Sequence, residues 1–303
     1  MDPQEMSPET LAAQGLGEAD PFSGGLAPVI NLSTNYEQEP DGSYRQGRVY
    51  TRADNPTSEH AEKLLAALEG GALDDGCACA LFGSGMAAAT AVFQSLLPGD
   101  HVLVSRVLYW GVRKWLAEFA LTWGLDVEFT DTCDLAAVGS AIRPGRTRLI
   151  WVETPANPMW EITDLAAICE LAHSAGVRVA VDNTVATPVL TRPLELGADL
   201  VVHSATKYLN GHSDVLAGAV LTARRDPFWE RIRSWQRRRV VARGITKFHR
   251  SRVFGTAGHS STTDRWRPLR TGSIPGACKT ITYPPGTKGM PSKNGQSKDT
   301  TSG

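Results

Sequence analysis

From residue 77 to residue 222 the chain alternates short apolar runs with longer segments that are typical of helices. The helical segments are about 10–15 residues long, and the apolar runs between them have the length of buried strands. Strands joined in this way form a mostly parallel sheet with helices on both faces, so the pattern predicts the α/β class. The predicted strands are 77–82, 101–105, 126–130, 148–153, 177–182, 200–203 and 215–222, and the predicted helices are 58–68, 83–97, 111–123, 134–142 and 164–175.

The two ends of the chain differ from this middle part. Residues 1–45 have few apolar repeats and many Gly, Pro, Asn and Ser residues, which predicts an extended arm. Residues 237–303 carry 14 Lys and Arg against two acids, whereas residues 1–236 carry 17 against 30. This basic tail shows no sustained periodicity and is expected to be disordered. It either binds nucleic acid or another acidic surface, or it is an unnatural ending such as a shifted reading frame.

Composition narrows the class of protein. A hydrophobic content of 42% is typical of a globular protein. No apolar run approaches the roughly 20 residues of a membrane helix, and the N-terminus lacks the basic and apolar regions of a secretory signal. The five cysteines are odd in number and lack the spacing of a metal site. We therefore expect a cytoplasmic protein that binds neither a membrane nor a metal ion.

Lys207 is the first candidate for chemistry. It lies just beyond the predicted strand 200–203, and the hydroxyl residues Ser204 and Thr206 precede it closely. A lysine at the end of a buried strand is costly unless it is used, and one use is a Schiff base, which neutralises the amine. Hydroxyls beside it could bind a phosphate, and this combination suggests pyridoxal phosphate (PLP). The alternative is a lysine that extends its charge to water.

Two other strand ends carry groups that such a cofactor needs. Gly85 and Met86 open the helix after strand 77–82, where free backbone N–H groups attract an anion, although small residues also begin helices for packing reasons. Asp182 ends strand 177–182. An acid against the pyridine nitrogen keeps that nitrogen protonated, so that the ring can accept electrons. A turn cap or helix cap is the alternative for Asp182.

Three more residues could complete the site. Tyr109 follows strand 101–105 and could stack on the ring and exchange protons, although a lone tyrosine is more often a core or rim residue. Asn157 lies in a proline-fixed loop and could bond the ring hydroxyl, or it could form an Asn-Pro turn. Arg52 could bind the phosphate, although a surface arginine is the default.

Five motifs together resemble the Cys/Met-metabolism family of PLP enzymes, the trans-sulfuration group. In chain order they are YTRADNPT (50–57), SGMAA (84–88), ETPANP (153–158), VDNT (181–184) and SATKYLNGHSD (204–214). The last one looks like the family's lysine signature and is highly specific, and five matches in order are stronger than any single motif. The resemblance implies the aspartate-aminotransferase-like type I fold of PLP-dependent transferases, with its PLP-binding large domain.

The resemblance implies a role for each candidate. Lys207 would form the Schiff base and later move protons at the substrate carbons, and Tyr109 would stack on the ring and help to release the lysine. Asp182 would pair with the pyridine nitrogen. The other residues expected at the cofactor are Gly85, Met86, Ser204 and Thr206 at the phosphate and Asn157 and Thr184 along the ring.

The resemblance also implies an assembly and a reaction. In the family, the residues that match Tyr50 and Arg52 reach the phosphate of a neighbouring subunit, so we expect a homodimer or homotetramer with shared active sites. The expected reaction makes or cleaves a carbon–sulfur bond at the β- or γ-carbon of a small amino-acid substrate, either cystathionine or a homoserine ester. Lyases and synthases share the cofactor residues, so these motifs leave both open. Where the family often has Tyr-Gly-Gly-Thr, Trp110 follows Tyr109 and is expected to reshape the substrate pocket.

The resemblance runs from about residue 50 to about residue 236. The family continues into a small C-terminal domain with the arginine that holds the substrate carboxylate, and we expect this domain to be missing. The expected division is an arm and inter-subunit segment (1–57), the PLP-binding large domain (58–236) and a basic, disordered or aberrant tail (237–303). A shifted reading frame is favoured for the tail over nucleic-acid binding. The rival hypothesis is a catalytically impaired, truncated remnant that still binds PLP.

Overall fold

The computed structural model describes residues 6–70 and 77–239, with the side chains of 238 and 239 excepted. The predicted basic tail lies outside the described residues from residue 240 onward. None of the helices in the described part of the chain is long and apolar enough to cross a membrane.

Seven strands form one sheet in the order β1-β7-β6-β5-β4-β2-β3. Neighbouring strands are parallel except at β7, which is antiparallel to both β1 and β6. The mostly parallel sheet predicted from the sequence is therefore confirmed. The strands are β1 (Ala78–Phe82), β2 (His101–Ser105), β3 (Asp126–Thr130), β4 (Thr147–Glu153), β5 (Arg178–Asp182), β6 (Leu200–His203) and β7 (Gly218–Thr222).

Helices cover both faces of this sheet. Val202 and Ala180 pack in the same apolar cluster as side chains of the third, fourth and eighth helices. Their neighbours Val201 and Val181 point to the other face, toward the second and sixth helices. Burial on both faces explains why the strands are continuous apolar runs. The helices are α1 (Pro8–Gln14), α2 (Pro56–Leu68), α3 (Gly85–Gln94), α4 (Trp110–Trp123), α5 (Leu135–Ala141), α6 (Leu165–Ser174), α7 (Thr187–Leu190) and α8 (Pro227–Arg239).

Helix α1 differs from the prediction of an extended arm over residues 1–45. The Ser7 side chain accepts a hydrogen bond from the Thr10 N–H, and Gly15 ends the helix in the left-handed conformation. Leu11 and Leu16 are buried in the cluster that also contains residues of α2. Leu11 in α1 and Leu16 just beyond its end were too few to produce a visible repeat, but their burial holds this short helix on the core.

Helix α8 has no counterpart in the sequence prediction. Phe228, Trp229 and Ile232 are buried against the sheet, and Asp226 caps the first turn through the N–H groups of Phe228 and Trp229. Arg233 forms an ion pair with Glu62 of α2 at 2.8 Å. The apolar residues of this segment are few among its many arginines, so the sequence pattern did not predict a helix with a buried face. The division expected between residues 236 and 237 falls inside this helix.

Candidate active site

The loops that follow β1, β2, β4, β5 and β6 meet at one edge of the sheet, the carboxyl edge. In open α/β sheets this is the edge at which ligands bind, because the loops there lead from strands into helices. All predicted site residues except Tyr50 and Arg52 lie in these loops or at their boundaries, namely Gly85, Met86, Tyr109, Asn157, Asp182, Thr184, Ser204, Thr206 and Lys207.

Two glycines bring the start of α3 against the loop after β6. A Cβ atom on Gly85 would lie 2.6 Å from the Cβ of Ser204 and 2.7 Å from its Oγ, and a Cβ on Gly218 would lie 2.1 Å from the Ser84 carbonyl oxygen. Any larger residue would push these segments apart. The first turn of a helix has N–H groups without intrahelical partners. In α3 the Ala87 N–H donates to the Ser84 hydroxyl at 3.1 Å, so Gly85, which approaches Ser204 closely, and Met86 supply the N–H groups for a ligand. The cradle that results suits a phosphate group.

Thr184 connects this cradle to Asp182. Its hydroxyl oxygen accepts a hydrogen bond from the Ser204 N–H at 2.8 Å. Its own N–H donates to Asp182 Oδ1 at 3.0 Å, and its hydroxyl also bonds the Asp182 carboxylate. Thr184 therefore holds both Asp182, the acid expected at the ring nitrogen, and Ser204, the serine expected at the phosphate.

Glu153 lies beside Asp182, because the two residues are register partners at the ends of β4 and β5. Burial and the nearby Asp182 carboxylate raise the pKa of Glu153 to about 7. Burial also raises the pKa of Asp182, and the hydrogen bonds from Thr184 oppose this effect. Among the described residues, no Lys or Arg forms an ion pair with either acid. A cationic group at this position would stabilise both carboxylates.

Glu153 is a further residue of this site that was not predicted from the sequence, where it is only the first residue of the motif ETPANP. Its carboxylate accepts hydrogen bonds from the N–H groups of Tyr109 at 2.7 Å and Asn157 at 2.9 Å. The available signal was its position, since Glu153 ends a buried apolar strand in the same way as Asp182.

Tyr109 lies directly before α4, with 38% of its surface exposed. A Cβ on Gly111 would lie 2.6 Å from Tyr109 Cε1, so glycine at that position lets the ring fold back over the first turn of the helix. The ring of Trp110 lies 5.9 Å from the Tyr109 ring and is 68% exposed. Two aromatic side chains thus border the carboxyl edge.

Lys207 is exposed rather than buried, which corrects the expectation of a costly lysine at the end of a buried strand. It lies in the turn after β6, where its N–H donates to the Ser204 carbonyl at 2.9 Å and its carbonyl accepts from the Gly211 N–H at 2.9 Å. These bonds fix the backbone and leave the side chain directed away from the core. An accessible amine at this edge suits attack on an aldehyde.

The hydroxyl of Thr206 is already engaged. It donates to the Ala217 carbonyl at 3.0 Å and accepts from the Ala217 N–H at 2.9 Å, which closes the loop between β6 and β7. A hydroxyl has one proton to donate. Thr206 would therefore have to exchange the bond to Ala217 in order to donate to a phosphate, whereas no such exchange is required of Ser204.

Tyr50 and Arg52 lie apart from the other candidates. Both are exposed, and the Arg52 guanidinium lies 5.4 Å from the centre of the Tyr50 ring. Within residues 6–70 and 77–239, no hydrogen bond, ion pair or ring contact joins either side chain to the carboxyl edge. Asn157 is also exposed, and its backbone N–H bonds Glu153.

Among the described residues, one group of possible metal ligands lies near this edge. Asp131, Cys133 and Glu161 bring their ligand atoms close together. The Arg106 guanidinium already pairs with Asp131 at 3.1 Å and with Glu161 at 2.9 Å, so each of these acids has a cationic partner. The expectation that the protein uses no metal ion stays a prediction.

The residues of the carboxyl edge fit PLP. The cradle that a Cβ would fill suits its phosphate, the two neighbouring carboxylates suit its protonated pyridine nitrogen, and the accessible amine of Lys207 suits its aldehyde. Hydrogen bonds link Ser204 to Thr184 and Thr184 to Asp182. This order suits PLP, which has its phosphate at one end and its ring nitrogen further along.

Comparison with known proteins agrees with this chemistry. The chain is 44% identical over 218 residues to a cystathionine gamma-synthase of Mycobacterium tuberculosis, covering 71% of this chain and 54% of the relative. It is 42% identical over 222 residues to a cystathionine gamma-lyase of Bacillus subtilis, covering 73% and 56%. The crystal structure of cystathionine gamma-lyase from Lactobacillus plantarum complexed with L-serine is similar, with a TM-score of 0.71, 37% identity, and coverage of 80% and 62%.

The chain spans about half the length of the curated relatives it matches. The model of the family described as Cys/Met metabolism PLP-dependent enzyme matches residues 9–285, a wider range than the motifs between residues 50 and 236. The predicted fold class and the predicted cofactor, PLP, are confirmed. The chain belongs to the Cys/Met metabolism family of PLP-dependent enzymes.

Proposed function

We propose that the protein is a PLP-dependent trans-sulfuration enzyme that makes or cleaves a carbon–sulfur bond at the β- or γ-carbon of an amino acid. Cystathionine and homoserine esters are the proposed substrates. The observation that supports this best is the arrangement of the carboxyl edge, where an accessible lysine, a glycine-lined cradle and a pair of neighbouring acids meet. The relatives named as cystathionine gamma-synthase and gamma-lyase support the substrate class.

Each residue at this edge has a distinct task in the proposal. Asp182, held by Thr184, keeps a proton on the ring nitrogen of the cofactor, and bound PLP supplies an electron-accepting ring. Gly85, Met86 and Ser204 bind the phosphate. Lys207 binds the aldehyde carbon and then moves protons at the substrate carbons.

The aromatic rim is the proposed determinant of the substrate. Tyr109 stacks on the ring, and Trp110 takes up space beside it that a glycine would leave open. Because both rings are anchored at the start of α4, a change at Trp110 should alter substrate preference more than cofactor binding.

A second candidate function is cofactor binding without turnover. It is favoured by the state of Arg106 and Arg113, two arginines in the segment after β2. Arg106 is paired with Asp131 and Glu161, and Arg113 lies 4.1 Å from the centre of the Phe129 ring. Neither is free to hold the carboxylate of a substrate.

A shared active site is part of the proposal, as is a cytoplasmic location. Phe22 is 91% exposed and Leu32 is 78% exposed in the segment that leads to Tyr50 and Arg52. Leu26, Val29 and Ile30 between them are exposed as well, and such a concentration of exposed apolar side chains supports contact with another copy of the chain. Sedimentation of the purified chain tests this point: a dimer or tetramer is expected, and a monomer would contradict it.

The deciding experiment is a PLP titration of the full chain. The wild type is expected to develop the longer-wavelength absorbance that PLP gains when it joins a lysine amine, and Lys207→Ala is expected to abolish it. Lys114→Ala, which removes an exposed lysine of α4, is the matched control and should behave like the wild type. Turnover of cystathionine and of a homoserine ester then separates the enzyme from the second candidate. A wild-type chain that takes up no PLP would disprove the proposal.

A further inference from the structure

Glu153 is a buried acid whose two carboxylate oxygens are both engaged by the backbone. Oε2 accepts from the Tyr109 N–H at 2.7 Å, and Oε1 accepts from the Asn157 N–H at 2.9 Å. The residue is only 6% exposed and lies beside Asp182. Burying a second negative charge next to the first is costly. A neutral residue would avoid this cost, but only a carboxylate can accept at both oxygens.

The two N–H groups belong to segments that reach the site from different strands. Tyr109 follows β2 and precedes α4, and Asn157 lies in the loop after β4. Tyr109 is fixed at two points, because Glu153 holds its N–H and its ring is held close to Gly111. The Glu153 carboxylate therefore joins the backbone of Tyr109 directly to the backbone of the Asn157 loop, whereas the Arg106–Glu161 pair joins the same two segments farther from the tyrosine.

We propose that Glu153 is a positioning residue that ties Tyr109 to Asn157 and so sets the distance between the stacking ring and the loop at the cofactor. This inference rests on the proposed function, which assigns Tyr109 to the ring of PLP, and on the family resemblance, which implies that Asn157 lies along that ring. It goes beyond that function in naming a group that does not touch the cofactor and yet determines how well the cofactor is held.

The neighbouring Asp182 makes the two hydrogen bonds of Glu153 depend on whether a cationic group is bound in the site. Burial and Asp182 raise the pKa of Glu153 to about 7, so its protonated and ionised forms are close in free energy at neutral pH. The protonated form keeps only one oxygen that readily accepts an N–H bond. A cation next to Asp182 reduces the repulsion between the two acids, favours the ionised form of Glu153 and tightens both bonds.

The test uses Glu153→Gln in the full chain, with Glu161→Gln as the matched control. Glutamine has nearly the same shape, but its NH2 group cannot accept an N–H bond. The Glu161 carboxylate bonds Arg106 and lies in the same loop region. In the chain without PLP, hydrogen exchange at Tyr109 N–H or Asn157 N–H is expected to be about 10-fold faster in Glu153→Gln, since one hydrogen bond is lost. The dissociation constant for PLP is expected to rise by a similar factor. Glu161→Gln should change neither quantity.

Unchanged exchange at both amides, or an unchanged affinity for PLP, would overturn the proposal. If Glu153→Gln does not fold, Glu153→Asp decides by the same two measurements, because it keeps the charge but is one methylene too short to reach both N–H groups. The exchange experiment needs no cofactor. A wild-type chain that binds no PLP would therefore refute the proposed function, while the exchange rates would still show whether Glu153 holds the Tyr109 and Asn157 N–H groups.

Discussion

The two edges of the sheet both carry clusters of charged side chains, but the charges are arranged differently. At the amino edge, where the parallel strands begin, a cavity of about 470 Å³ is lined by Arg178, Asp199, Arg224 and Asp226 among others. Arg178 pairs with Asp226 at 2.8 Å, and Arg224 pairs with Asp199 at 3.0 Å. At the carboxyl edge, two acids lie side by side, and neither is paired with a described Lys or Arg.

This difference shows that a cavity lined by charged residues is a poor guide to function in this molecule when those charges are paired. The arginines and acids that line the cavity at the amino edge pair with one another, so they need no ligand to balance their charges. The carboxyl edge has an unbalanced pair of acids whose pKa values are raised by burial, which is the kind of perturbation that marks functional sites. Three experiments test whether the two edges differ in this way.

The largest effect is expected for Asp182→Asn. In the proposed function Asp182 balances the charge of the cationic ring nitrogen, which asparagine cannot do, and removing one partner of a buried ion pair costs about 3 kcal/mol or more. PLP affinity or turnover should therefore fall at least about 100-fold. Asp226→Asn is the control at the amino edge. Its amide oxygen can still cap α8, and the loss of the pair with Arg178 should cost less than about 1 kcal/mol of unfolding free energy.

PLP titration and denaturant unfolding of both variants measure these two effects. Equal losses of PLP affinity in Asp182→Asn and Asp226→Asn would contradict the distinction between the two edges. The paired charges at the amino edge would then affect the cofactor as much as the two acids at the carboxyl edge.

A smaller effect is expected for Gly85→Ala. The new methyl group would lie 2.6 Å from the Cβ of Ser204, so α3 or the loop after β6 must move. Overpacking of this kind costs roughly 1–3 kcal/mol, which predicts a decrease in PLP affinity of about 10- to 100-fold. Gly139→Ala is the control, because its Cβ would meet Leu171 at an ordinary 3.8 Å and alanine favours a helix. An unchanged affinity in Gly85→Ala would mean that the cradle does not hold the phosphate.

The carboxyl edge was largely predictable from the sequence, because it depends on local signals. Apolar runs marked the strands, and the rule that ligands bind beyond the carboxyl ends then placed Asp182, Tyr109 and Lys207 at a common edge. The five motifs led to the family, which the comparisons confirm. Each of these inferences needed only a few consecutive residues.

Features that depend on contacts between distant segments were not predictable. Glu153 became significant only through its register with Asp182 and its bonds to Tyr109 and Asn157. The sequence likewise could not show that the Thr206 hydroxyl is taken up by Ala217, eleven residues later. Helix α8 was missed because burial of three apolar residues against the sheet outweighs a segment that is otherwise rich in arginine.

The smallest expected effect is a difference in how the two edges respond to pH. Glu153 has a folded-state pKa of about 7, above its ordinary value, so between those values the folded chain binds more protons than the unfolded chain. Its contribution to stability therefore falls as pH rises through this window. Burial raises the pKa of Asp226, but hydrogen bonds from the Trp229 N–H and from Arg178 outweigh this effect and lower it. Asp226 therefore stabilises the folded chain at pH values above the ordinary pKa of an aspartate, and this stabilisation is lost in acid.

Unfolding free energies of the chain without PLP at pH 5 and pH 8 test this contrast. Relative to the wild type, Glu153→Gln should become more stable by about 1–2 kcal/mol at the higher pH, because one pKa unit corresponds to about 1.4 kcal/mol and Asp182 shares the titration. Asp226→Asn should keep a constant difference from the wild type, since Asp226 is ionised in both states throughout this range. If both variants show the same pH dependence, the pKa of Glu153 is not raised. The contrast between unpaired acids at the carboxyl edge and paired acids at the amino edge would then lose its main evidence.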